Sequence, residues 1–178
     1  MKRTAFVFIL IFQLIFLSFS GGTDYNHSSS GTKFETKIGS FNIIGPKIYD
    51  EIGKDIGVGY RSPSLIELTH YIYPQSAANL KDHFNDYKKS LLSNKSWAKC
   101  IKTDEIMTSN ISGYYSKFCF NEDFHGKNQL INSYLYMYES KGWFIMLRIT
   151  CDTTISLSKE QEIKEYLKIM PWPTKENK

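Results

Sequence analysis

The chain has 178 residues, 22 basic and 18 acidic, for a formal charge of +4, with 42% apolar and 15% aromatic content. That is enough apolar material for one core of ordinary size. With only Arg3, Arg61 and Arg148 to supply guanidinium groups, the composition sets nucleic-acid recognition aside, because reading bases and phosphates draws on bidentate arginine contacts.

Residues 1–20 read as a signal peptide. Lys2 and Arg3 precede an uncharged apolar run from Ala5 to Leu17, and the small-residue pattern Ser18-Phe19-Ser20 stands before Gly21-Gly22. This reading starts the mature chain at Gly21, lowers the formal charge to +2 and places the product in the periplasm or outside the cell. A leader left uncleaved would make it a membrane-tethered structural protein, the membrane being reached through that leader alone. The first cysteine is Cys100, so no lipid-attachment cysteine follows the apolar run.

Residues 21–36, rich in glycine and serine, read as a flexible linker. A first strand region follows at Lys37–Pro46, then a polar turn ending in Gly57, a strand at Val58–Arg61, and another at Ile66–Tyr73. In the last, Ile66, Leu68, His70 and Ile72 alternate onto one face. Ser76 is placed to cap a helix whose positions Ala77, Leu80, Phe84, Tyr87 and Leu91 form an apolar seam. Four strands are expected next, Trp97–Met107, Tyr114–Asn121, Gln129–Tyr138 and Trp143–Cys151, joined by connections short enough to make antiparallel neighbours. Ser158 and Gln161 fit a capping box for a closing helix with Ile163, Tyr166, Leu167 and Met170 buried, and Pro171 ends it. The order β-β-β-α-β-β-β-β-α defines a single α+β domain over 37–172. Its expected antiparallel sheet has six to seven strands, packed by two helices and followed by a tail at 173–178.

Gly57-Val58-Gly59-Tyr60, then Thr69-His70-Tyr71-Ile72-Tyr73-Pro74, and the aromatic-aliphatic strand from Trp143 to Ile149 resemble a group of uncharacterised exported bacterial proteins. The element order over Gly39 to Pro171 is similar to the Mog1/PsbP-like fold. Members of that fold bind a small GTPase or serve photosystem II. None of their functional residues carries over to positions here, so the resemblance implies the fold and favours an accessory or binding protein over an enzyme.

Three cysteines in an exported chain allow one disulfide. Cys100 and Cys119, on neighbouring strands across a turn near Asn110, are the expected pair; three buried thiols are the alternative, and Cys151 suits that role. Of the histidines, His27 falls in the linker, His70 on an apolar strand face where a hydrogen-bonded core imidazole is expected, and His83 on a solvated helix flank. His125 shares an acidic loop with Glu122 and Asp123, the candidate site for a small exported hydrolase. No nucleophile motif is present. Tyr134, Tyr136 and Tyr138 alternate onto one strand face, as a stacking surface for a protein or glycan partner if open and as core if a helix covers them. The Asn-x-Ser tripeptides at Asn26, Asn94 and Asn110 would be glycan acceptors in a eukaryotic secretory chain. The leading expectation is an exported, non-enzymatic binding or accessory protein working without a cofactor.

Overall fold

The computed structural model describes residues 22–75, 78–94, 99–154 and 157–177. The leader expected at 1–20 and the Ser76 cap lie outside them. Among the described residues no helix is long and apolar enough to cross a membrane.

The chain builds its sheet from both edges inward. The strands β3 (Lys37–Ile38), β4 (Phe41–Ile48), β5 (Ile56–Arg61) and β6 (Glu67–Pro74) form one antiparallel meander. The helix α1 (Leu80–Asn94) carries the chain to the far edge, where β7 (Lys99–Thr108), β8 (Ile111–Phe124), β9 (Lys127–Ser140) and β10 (Trp143–Asp152) form a second. The two meet where β10 pairs with β6, giving one eight-stranded sheet of order β3-β4-β5-β6-β10-β9-β8-β7. A closing helix, α2, spans Leu157–Ile169. The α+β class and element order are those expected, with eight strands in place of six to seven. The extra strand arises because the Lys37–Pro46 region turns at Gly39, whose φ of +58° suits glycine, and splits into β3 and β4.

A central strand covered on both faces must be apolar on both, which is why Trp143 to Leu147 shows no alternation. On one side Trp143, Ile145, Leu147 and Ile149 join Phe41, Tyr60 and Leu68 beneath Ile163 and Tyr166 of α2 and Met170 just after it. On the other, Met146, Met137, Leu135 and Phe118 pack under Phe84 and Leu91 of α1. These two faces are called the α2 face and the α1 face.

Two segments depart from expectation. In place of a flexible linker over 21–36, β1 (Tyr25–His27) and β2 (Thr32–Phe34) form a hairpin of their own. Its inward side chains His27, Ser30, Thr32 and Phe34 are buried on the α2 face. The glycine and serine content that suggested a linker serves a tight turn: Gly31 has a φ of +68° and its N–H reaches the His27 carbonyl. In place of a free tail at 173–178, Thr174 and Lys175 donate their N–H groups to the Ser30 carbonyl, and Asn177 donates to Lys141. The indole of Trp143 donates to the Lys175 carbonyl at 3.0 Å. The two chain ends therefore cover the same part of the core.

The cap of α1 is Asn79, whose Oδ1 accepts from the Asp82 N–H at 2.9 Å while its amide donates to the Asp82 carboxylate at 2.7 Å. Ser158 lies inside the first turn of α2 and not ahead of it, because the helix starts at Leu157.

Candidate functional site

The β7–β8 register decides the expected disulfide. Cys119 stands opposite Lys99, and Cys100 opposite Phe118, so the two cysteines are one position out of step and project to opposite faces. All three thiols are free, Cys100 exposed and Cys151 buried. The expected Cys100–Cys119 bridge is therefore not formed. A bulge between Cys100 and Lys102 fixes this offset, and neither strand's sequence marks it.

The tyrosine ladder is core and not a stacking surface. Tyr134, Tyr136 and Tyr138 do share one face, but it is the α2 face, where Tyr138 is 0% exposed and Tyr134 is buried. Tyr138 meets Trp172 edge-on at 5.3 Å, and its hydroxyl pairs with Thr108 at 2.9 Å. Tyr136 is half-buried against Tyr115, with ring centroids 4.9 Å apart. Burial raises the Tyr138 phenol to about 12, as suits a neutral core hydroxyl.

The acidic loop is two strands joined by a two-residue turn. Glu122 and Asp123 belong to β8 and pair with Gln129 and Asn128, so their side chains leave opposite faces. Only His125 and Gly126 form the turn, both with positive φ, at 55° and 74°. The three residues therefore do not converge. Among the described residues no three His, Cys, Asp or Glu side chains gather as a group able to hold a metal ion.

The other histidines are structural. His70 is 0% exposed, shares a 3.1 Å hydrogen bond with the Tyr166 hydroxyl, and meets Phe34 edge-on. Burial lowers its imidazole to about 3, so it is neutral. His27 is buried, its Nε2 donating to the Gly53 carbonyl at 2.9 Å and its Nδ1 accepting from Ser30 at 2.6 Å. His83 is not on a solvated flank. It is half-buried, stacking on Phe144 of β10 at 4.6 Å and hydrogen-bonding Tyr73 of β6 at 2.9 Å, while Asp82 and Asp86 beside it stay exposed.

A different constellation occupies the α1 face. Arg61 and Glu67 are opposite one another on β5 and β6. Both guanidinium Nε and Nη2 donate to Glu67 Oε1, at 3.1 and 2.5 Å. The β8–β9 turn brings His125 Nε2 to 3.8 Å from that same oxygen, buried and with no hydrogen-bond partner. Thr150 of β10 lies between Glu67 and Ser133 of β9. Ser133 in turn accepts from Arg148 Nη2 at 3.0 Å. Arg148 Nη1 donates to the Tyr87 hydroxyl of α1 at 3.3 Å, and its Nε is buried without an acceptor.

Arg148 is the unusual member. Its partners among the described residues are neutral hydroxyls, and the one carboxylate in the cluster, Glu67, is already held by Arg61. A guanidinium drawn out of water with no counter-ion is costly, and groups of this kind usually answer to an ion, water or ligand. Among the described residues, the side chains of Arg61, Arg148 and Glu67 together leave one positive charge uncompensated. Sequence reading passed over this site. Its signal was there: Arg148 is the one charge inside the apolar run Phe144 to Ile149.

A separate groove lies elsewhere. About 760 Å³ opens between the start of α1 and the β7–β8 edge, where Lys81, Glu105, Met107, Tyr114 and Glu139 line it. It gathers charges of both signs and contains no unpartnered buried donor, so the Arg148 cluster is the stronger candidate.

No protein-family model matches the chain, and no curated protein matches its sequence. Among the solved structures similar in fold are the following three. Cyanobacterial PsbP (CyanoP) from Synechocystis sp. PCC 6803 aligns with a TM-score of 0.48 and 10% identity over 86% of this chain and 93% of its own. A protein of unknown function from Pseudomonas aeruginosa gives 0.45 and 15% over 85% and 98%. A protein from Bacteroides thetaiotaomicron gives 0.42 and 14% over 89% and 51%. These are likenesses of general architecture, and they assign no activity to this chain.

Proposed function

We propose that the protein is an exported, non-enzymatic binding or accessory protein, addressed by the leader at 1–20 and acting through the α1 face around Arg148. The observation that carries the reading is the Arg148 guanidinium, held by Ser133 and Tyr87 with no carboxylate of its own among the described residues. A cation positioned by neutral hydroxyls costs folding stability, and a bound partner that supplies the missing acceptor offsets that cost. Arg61 and Glu67 on one side and the partly buried Tyr87 on the other provide polar and aromatic contact area around it.

The hydrolase reading has less support. General acid–base work needs a titratable pair in reach of one substrate. His125 approaches Glu67, whose charge Arg61 already takes, and Asp123 leaves the other face of the sheet.

Capture from the producing organism's envelope extract tests the proposal, using the chain from Gly21 onward and its Arg148→Met variant. A partner held by the native protein and lost by the folded variant is the expected result. Equal retention by both would place the binding surface elsewhere.

A further inference from the structure

The same cluster also indicates what the ligand carries. We infer that its ligand presents an oxyanion, a carboxylate or phosphate group, to Arg148; this deepens the binding reading above and rests on it. Three features of the geometry lead there. The guanidinium is fixed from two sides, Nη1 on Tyr87 and Nη2 on Ser133, so its orientation is set before any ligand arrives. The Tyr87 oxygen accepts the Arg148 proton and keeps its own hydrogen, which it can give to a ligand oxygen. The surplus charge of the cluster is positive, since the Arg61 pairing neutralises the carboxylate that would repel an anion.

Planar guanidinium donors match the two oxygens of a carboxylate or phosphate, and such charge-assisted bonds are about twice as strong as neutral ones. A neutral hydroxyl ligand would leave the Arg148 charge uncompensated; an oxyanion removes the deficit. His125 Nε2, buried and without a hydrogen-bond partner, lies 3.8 Å from Glu67 Oε1 at the edge of the same cluster.

The experiment follows the Arg148 Nε–H resonance of the mature protein by NMR during titration with inorganic phosphate and, separately, acetate. Sodium chloride holds the ionic strength constant. Saturable movement of that resonance with either anion is expected, and the two arms tell a phosphate ligand from a carboxylate one. Affinity, read in native and variant alike from the backbone amide shifts of Ser133 and Tyr87, should fall roughly tenfold to a hundredfold in Arg148→Met, the range for loss of a charged hydrogen bond. Tyr87→Phe should lose less. Arg148→Met should also melt no lower than the native protein, because it removes a half-buried charge that no carboxylate of the described residues balances.

Two results would overturn the assignment. One is a native resonance that neither anion moves at about ten times a millimolar dissociation constant. The other is equal affinity in native and Arg148→Met proteins. If neither anion moves the resonance while a captured partner is still lost in Arg148→Met, the oxyanion assignment fails and the binding reading stands.

Discussion

At the scale of single residues, burial sets the chemistry. His70 was legible in the sequence as a core imidazole, since it shares its strand face with Leu68 and Ile72. Its protonation has a calculable sign. The unfolded chain binds a proton near pH 6.5, the folded one only near 3, so the His70 contribution to stability is intact above 6.5 and lost as pH falls through that interval. Asp55 acts in the opposite direction. Burial raises its carboxyl to about 6, so its contribution is present below 3.8 and lost as pH rises towards 6. The native slope mixes the two, and the comparison with His70→Leu isolates the first. Between pH 6.5 and 5 the stability advantage of the native protein over that variant should shrink by about 2 kcal/mol, read from urea unfolding. A difference that stays constant with pH would show that His70 does not titrate as its burial demands.

At the scale of elements, periodicity gave strand and face, while register decided which residues meet. Cys100 and Cys119 are on adjacent strands as expected, yet one bulge places them on opposite faces. The denatured, unreduced protein should accordingly titrate three thiols. In the folded protein Cys100 should react first, and Cys151 should stay inert, since it is buried and its thiol is raised to about 11. Fewer than three thiols in denaturant would mean that the strands pair in another register. The tyrosine ladder shows the same limit. Alternation put Tyr134, Tyr136 and Tyr138 on one face correctly, but only the packing of α2 and Trp172 determines that this face is core.

At the scale of the molecule, the two chain ends form a layer over the α2 face. Deleting residues 173–178 removes the donors that reach Ser30, Gly31 and Lys141 and leaves the Trp143 indole without an acceptor. At about 1 kcal/mol for each net hydrogen bond, with the exposed ones worth less, the expected loss is on the order of 3 kcal/mol. Limited proteolysis should then cut within the β1–β2 hairpin. An unchanged melting temperature and an uncut hairpin would mean that the strap contributes nothing.

Sequence alone determined the α+β class, the order of strands and helices across 37–172, the apolar faces of both helices and the core role of His70. Each depends on local periodicity, caps and turns, which a short window of residues contains. Tertiary structure decided the rest: the joining of two meanders through β6 and β10, the recruitment of both chain ends into the core, and the convergence of Arg61, Glu67, His125, Ser133, Tyr87 and Arg148. Those side chains come from five strands or turns and one helix. Their proximity follows from strand order and register, and no local stretch of sequence encodes it.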